Sequence, residues 1–491
     1  MTITSKEANK YIIEKHSLPQ EKDWPQAVIN EVHSIDLNIQ DLGRKDLSKT
    51  PFITIDGVDA KDFDDAVYCE SNDAGYKLQV AIADVTLYVK NNSAIDKEAL
   101  KRGTSIYLPN QVIPMLPEKL SNDLCSLKPN KYRPAFVITI DVNNHGQILN
   151  YSFCEAIIRS HHRLTYEQIN SQSLNRLNLS NEVNNSISNL KSLAIKRLEI
   201  KSQRNAIEFS PSEHKIFFDK KDNVRKIELR TSSLPHQMIE ECMLIANECT
   251  AEFLKQSLGF CPYRIHKEPD EIKINTLISI LGSNDSKKSW SAIKKIQDIL
   301  TNIDKKDFFS QILLLQSMQR AEYSTEEVGH FGLQLKRYCH FTSPIRRYPD
   351  LVIHKLVKQA LKINQKRIIS QQGLQTICEE SSQLELRAEK ISRELNQILI
   401  FDYLKQYQGE SFKGVVSGVT DFGLFVTIDR FLVSGLIHVT DLKKDRYYIS
   451  ENKKYLVGKR SGRKYSFGQK ILVKITSVTP FEGKMSLSLE S

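Results

Sequence analysis

At 491 residues the chain is about three times longer than one hydrophobic core usually serves, so two or three domains are expected. With 40% hydrophobic and 26% charged residues, 19 Gly and 15 Pro, its composition excludes a collagen-like or wholly disordered protein. Lys and Arg number 69 against 59 Asp and Glu, a surplus of 10 that favours polyanionic partners without proving them. From Glu410 to Ser491 there are 14 basic and 8 acidic residues, so over half of that surplus lies in the final stretch.

In chain order, residues 1–50 are polar, with helices expected over Ser5–Glu14 and Pro25–Val32 and no self-sufficient core, which reads as a linker-like appendage. The opening MTITSKEANK has no apolar signal core, and no run approaches the roughly 18 apolar residues of a membrane span. A soluble cytoplasmic protein without a membrane partner is expected. From Pro51 the pattern turns to strands, with PFITIDG, AVYCE and YKLQVAIADVTLYV each bounded by turn residues. RPAFVITIDV and QILNYSFCEAII flank a hairpin turn at Asn143–Gly146, and KIFFD and VRKIEL flank another at Lys221–Asn223. In the following helical stretch, Ile239, Cys242, Ala246, Cys249 and Phe253 fall on one face, which should pack on the sheet. Residues from Leu351 to about Tyr407 are largely helical, and GESFKGVVSGVTDFGLFVTI then switches to short strands, placing a domain boundary near Gln408. The eight cysteines form no CxxC pair, so reduced, mostly buried thiols are expected.

The segment richest in chemistry is TIDGVDAKDFDDAV. It places Asp56, Asp59, Asp62, Asp64 and Asp65 within ten residues between two strands. Carboxylates this close raise one another's pKa unless water or divalent cations neutralise them, and hard oxygen ligands suit Mg²⁺ or Mn²⁺. The spacing does not fit an EF-hand loop, and a merely solvated loop would not alternate with apolar Ile55, Phe63 and Val67.

This segment resembles the signature of the ribonuclease II and ribonuclease R family. AIADVTLYV, RGTSIYLPNQVIPMLPEKLSNDLCSL and GHFGLQLKRYCHFTSPIRRYPDLVIHK follow in the same order, so the resemblance covers the chain from about Trp24 and is closest to the ribonuclease R branch. It implies an α+β architecture: a mixed sheet-and-helix catalytic domain over 51–407 and a small all-β OB barrel over 408–491. It also implies processive, Mg²⁺-dependent hydrolysis of single-stranded RNA from the 3′ end to nucleoside 5′-monophosphates, in RNA turnover and quality control. By position, the family's metal-binding and catalytic aspartates fall on Asp56, Asp62, Asp64 and Asp65, with Asp59 outside the set.

Two Mg²⁺ ions, or Mn²⁺ in their place, roughly 3.5 to 4 Å apart would activate a water and stabilise the leaving oxygen. Arg346 of SPIRRYP is the candidate for meeting the phosphate charge with a planar fork, ahead of Arg347. Tyr107 and Phe209 match family aromatics that sandwich the terminal nucleotide, and Glu240 or Glu241 is a candidate ribose contact.

The last segment resembles the RNA-binding OB domain of the ribosomal protein S-one type. The likeness implies a nucleic-acid face bearing Phe422, Phe425 and His438, with Lys413 and its basic neighbours tracking phosphates. Ideal alternation along DFGLFV does not easily put both phenylalanines on one face. Relatives carry two cold-shock domains ahead of the catalytic domain, and residues 1–50 look like the linker that follows the second, so a non-catalytic RNA-binding relative is the rival reading. A phosphorolytic enzyme is disfavoured because nothing resembles a site for nucleophilic phosphate.

Overall fold

The computed structural model describes residues 2–170, 177–207, 213–230, 233–281, 291–303, 307–363, 370–442, 445–450 and 455–490. Helix α1 (Ser5–His16) starts at a capping box in which the Thr4 hydroxyl accepts the Glu7 N–H and the Glu7 carboxylate accepts the Thr4 N–H. Its residues Ile12 and Ile13 pack with Ile391, Leu395 and Ile398 of the long helix Gln371–Leu404. Helix α2 (Gln26–His33) adds Val28 and Val32 to the principal core beside Trp24. The segment expected to be an appendage is therefore built into two cores.

Strands β1 (Lys45–Asp46), β2 (Ile53–Asp56), β3 (Asp65–Asn72) and β4 (Gly75–Ala83) are followed by helix α3 (Ala94–Arg102). A short hairpin, β5 (Ile106–Leu108) and β6 (Gln111–Ile113), precedes the long strands β7 (Tyr132–Asn143) and β8 (Ile148–Arg159) and the short β9 (His162–Thr165). Seven of these form one mixed sheet in the order β1-β8-β7-β4-β3-β2-β9, with parallel pairing only at the two outer positions. The helix Leu234–Leu258 buries Ile239, Cys242, Ala246 and Cys249 in the sheet's core, while Phe253 is half-buried against the Phe153 ring, 4.8 Å away. All eight cysteines are free thiols, seven of them buried.

The helix Tyr348–Ala360 is buried from Tyr348 to Lys358, yet it carries charged residues into that core. Lys355 lies 2.6 Å from Asp96, and Lys358 lies 2.7 Å from both Asp84 and Glu155, with Arg44 completing the cluster. Burial alone would raise the Asp84 carboxyl, but Lys358 and Arg44 outweigh it and hold the group below its ordinary value. Such pairs repay their desolvation only with close geometry, which these distances supply.

Five strands, Ser411–Thr420, Gly423–Ile428, Val433–His438, Lys470–Thr479 and Lys484–Leu489, close the expected barrel. Gly423 is required where two strands nearly touch: a Cβ there would lie 2.1 Å from the Ile437 carbonyl oxygen. The barrel core includes Ile400, Phe401 and Leu404 of the long helix, so the two parts share an apolar seam. The molecule is thus α+β, a mixed sheet-and-helix body joined to an OB-like barrel. Among the described residues, no helix is long and apolar enough to cross a membrane.

Candidate active site

Strands β2 and β3 pair only at Ile53 and Val67 and then part, which opens the sheet. Asp56 ends β2, Asp65 begins β3, and the connecting loop carries Asp62 and Asp64 into the opening. The loop is held by its alternating apolar residues, since Ile55, Phe63 and Val67 are all buried. It is also held by its backbone. Phe63 N–H donates to the Ser126 hydroxyl (3.0 Å), Leu127 N–H to the Phe63 carbonyl (3.0 Å) and Ala83 N–H to the Asp64 carbonyl (2.8 Å).

Arg163 on β9 adds a clamp from the sheet edge, donating to the Gly57 carbonyl at 2.9 Å and to that of Val58. Sequence reasoning missed this residue. Arg163 acts across the parallel pairing of β9 with β2, where it stands opposite Thr54 more than a hundred positions away, and nothing in HHRLTY marks it.

Asp64 is buried, and its Oδ1 accepts the Ile345 N–H at 2.9 Å while Oδ2 lies 3.3 Å from Arg346 Nε. Burial nevertheless pushes its carboxyl up to about 8, the Arg346 charge and the Ile345 bond opposing it only in part. Asp56 is raised to about 6, first by burial and then by Asp62. Asp65 is raised by burial and by the charges of Asp56 and Asp64. Asp59 points to solvent and stands apart.

Among the described residues, Oδ2 of Asp56 is buried without a hydrogen-bond donor and the buried Oδ2 of Asp64 has only the Arg346 charge beside it, and such hard oxygens fit a divalent cation. Among the described residues, no three acidic, His or Cys side chains converge as a ready-made chelate. The donor set therefore suits Mg²⁺ in kind, and the loop would have to draw in around it.

The arginine is presented by a turn locked from beneath. Asp350 Oδ1 accepts the Ser343 N–H (2.8 Å) and pairs with Arg347 (2.8 Å), so Arg347 is committed to the turn and Arg346 is the one facing Asp64. The helix begins at Tyr348, directly after Arg347. The Arg346 carbonyl accepts the Thr104 hydroxyl (3.1 Å) and the Ser105 N–H (3.0 Å), which ties the turn to the strand carrying Tyr107. Tyr107 keeps 44% of its surface exposed while its hydroxyl donates to Asp62 Oδ2 at 2.7 Å, so its ring stands anchored at the site's mouth.

Phe209 lies outside the described residues. Glu241 is buried beside Arg197 and Lys201, and Glu240 is the exposed member of the pair. On the barrel, Phe422 is exposed and Phe425 half-buried, with ring centroids 6.0 Å apart. The expected conflict of alternation does not arise because Phe422 sits in the turn before its strand. His438 is exposed and stands opposite Gly423. Lys413 is exposed at the other end of the same sheet, some five residues or about 17 Å along its strand, so it does not join that cluster.

Fold and site together define an acidic, arginine-bearing centre in an opened mixed sheet, joined to a nucleic-acid-binding type of barrel. The RNB domain matches residues 44–363 and the S1 RNA binding domain matches residues 405–490, and the chain belongs to the RNB family of ribonuclease R-type proteins. It is 37% identical over 494 residues to ribonuclease R of Escherichia coli strain K12, covering 95% of this chain and 60% of that one. With ribonuclease R of Thermotoga maritima it shares 36% identity, covering 97% and 70%. The structure of Mycoplasma genitalium RNase R in complex with ribose methylated single-stranded RNA superposes with a TM-score of 0.92 at 30% identity, covering 99% of this chain and 78% of that one. The chain thus spans about three fifths of the length of several curated relatives.

Proposed function

We propose that this chain is a hydrolytic exoribonuclease that degrades single-stranded RNA processively from the 3′ end to nucleoside 5′-monophosphates. The observation that carries the reading is the meeting of three elements at one opening: Tyr107 on Asp62, Arg346 on Asp64, and Asp56 and Asp65 on the parted strands. The family membership and the RNA-bound relative support it. Tyr107 offers the terminal base an exposed ring at any sequence, because every base has a stacking face. Arg346 is 42% exposed at its side chain, and with Nε toward Asp64 and one Nη on Ser343 it has further N–H groups, unpaired among the described residues, to meet a phosphate.

Asp56, Asp62, Asp64 and Asp65 would hold Mg²⁺, which when bound neutralises phosphate charge and activates water. Without such ions the buried carboxylates are pushed toward their neutral forms, which poorly support that chemistry. Phe422, Phe425 and His438 on the barrel give a longer strand a second hold, consistent with processive action.

The test is degradation of 5′-labelled RNA with and without EDTA, with product analysis. Stepwise shortening and mononucleotide release that EDTA abolishes support the proposal. Binding without shortening in Mg²⁺ would make the chain an RNA-binding relative.

A further inference from the structure

Behind the strand that carries Tyr107 lies a cavity that the proposed reaction does not use. Its volume is about 320 Å³, within the range of small-molecule sites. Leu18, Ile106, Ile113 and Leu384 give it apolar walls. Successive residues of a strand face opposite ways, so Ile106 faces this cavity while Tyr107 faces Asp62.

Arg102, at the end of α3, is the polar element. Its side chain is 5% exposed, its guanidinium lies 3.5 Å from the Trp24 ring centroid, Nε donates to Glu98 (2.9 Å) and Nη1 to the Pro114 carbonyl (3.1 Å). Its Nη2 is buried and has no hydrogen-bond partner among the described residues. A buried guanidinium nitrogen left unbonded costs free energy that an acceptor on a ligand would recover. Lys101 and Arg387 add positive charge at the lining, and the carboxylates of Asp23 and Glu98 offer acceptors to a ligand's amino groups.

We infer that this cavity binds a free nucleoside 5′-monophosphate, its base between the apolar walls against Arg102 and its phosphate toward Lys101 and Arg387. Flat apolar body, amino donors and a terminal anion are the combination these walls accept. The nucleotide class rests on the proposed function, which makes such molecules the products. The cavity also adjoins the catalytic turn, because Thr104 lines it and donates its hydroxyl to the Arg346 carbonyl.

Trp24 reports on the site, since a ligand engaging Arg102 alters the cation over its ring. With the chain's other tryptophan replaced (Trp290→Phe), Trp24 emission is followed during titration with AMP in EDTA, excited beyond the nucleotide's absorption. Saturation is expected with AMP and not with inorganic phosphate or adenosine over the same range. Arg102→Gln removes the cation over Trp24 and is therefore read by equilibrium dialysis of radiolabelled AMP, where it should weaken binding by more than about tenfold. The 80% exposed Lys101, whose replacement does not threaten folding, should give about threefold as Lys101→Gln. Tyr107→Ala should leave the titration unchanged. No saturation, an equal response to phosphate alone, no effect of Lys101→Gln, or loss on Tyr107→Ala would each overturn the assignment. RNA cleavage is assayed separately: cleavage without AMP binding sinks the cavity site alone, and AMP binding without cleavage sinks the proposed reaction alone.

Discussion

The acidic opening of the sheet and the aromatic face of the barrel are built by opposite means. In the first, charged side chains are oriented by neighbours: Asp64 by the Ile345 N–H, Arg346 by Ser343, and Arg347 by Asp350. In the second, Phe422 and His438 stand in solvent on a closed frame that would fold much the same without them. On the proposed function, the difference is that between chemistry, which fails when one group moves, and binding, which is spread over contacts that each contribute a little.

The widest gap between the two should come from Asp64→Asn. Asn keeps the acceptor for Ile345 N–H but loses the charge, so cleavage should fall by at least about a thousandfold while RNA affinity changes by less than about threefold. Parallel loss of both would show that the two regions are not separable. The same substitution carries a pH signature in the EDTA-treated protein. The Asp64 carboxyl is pushed up to about 8 by burial, above about 3.9 in an unfolded chain. The folded state therefore keeps a proton that the unfolded chain releases, so its contribution to stability is full below about pH 4 and is lost as pH rises through about 8. Asn cannot ionise. Metal-free Asp64→Asn should melt above the parent by a margin that widens from about pH 6 to about pH 9, and a constant margin in a thermal unfolding series would contradict the buried-charge account.

Next in size is Arg346→Lys, expected to slow turnover by about ten- to a hundredfold, because an ammonium cannot reproduce a planar fork on phosphate. The matching Arg347→Lys should act instead on stability, since Arg347 serves Asp350 within the turn. Single-turnover cleavage and thermal melting on both variants separate the roles, and interchanged phenotypes would reverse the assignment.

These contrasts also mark how far the sequence could be read. The acidic loop, the arginine turn, the hairpins and the barrel announce themselves locally, through alternation, turn residues and motif spacing. Arg163 does not, because its clamp on Gly57 and Val58 exists only once β9 pairs with β2. Nor does the docking of residues 1–50, whose few apolar positions find their partners on a helix almost 400 residues away. The pairing of Arg347 with Asp350, which leaves Arg346 facing Asp64, likewise shows only in the folded turn. Proximity created by folding, rather than residue type, was the missing information in each case.

Smaller again is Tyr107→Ala. Losing a stack worth roughly 1 to 3 kcal/mol penalises short strands with few other contacts, so the smallest undigested oligonucleotide should lengthen while long RNA is degraded at nearly the parent rate. Tyr107→Phe keeps the ring and removes the bond to Asp62, so it should preserve the end product if stacking is the function. An unchanged ladder in Tyr107→Ala would leave the ring without a role in RNA binding.

The smallest effect should come from the barrel, and the seam decides how to look for it. Removing residues 410–491 would strip the cover from Ile400, Phe401 and Leu404, so weaker binding after deletion would mix lost contacts with exposed core. Phe422→Ala avoids this, because that ring is 49% exposed in a turn and its loss leaves the barrel core in place. A single stack of about 1 kcal/mol corresponds to about fivefold in affinity, and only for RNA long enough to reach the barrel from the acidic site. Stacking displaces no condensed counterions, so the dependence of log affinity on log salt should keep its slope. Lys413→Gln, at the other end of the barrel strand, should do the reverse if it touches a phosphate: a shallower slope by about 0.7. Binding of short and long single strands across a salt series, in the Asp64→Asn background, distinguishes the two kinds of contact. If Phe422→Ala weakens short and long strands equally, the ring does not serve as a second hold, and the barrel's aromatic face is not where the longer strand runs.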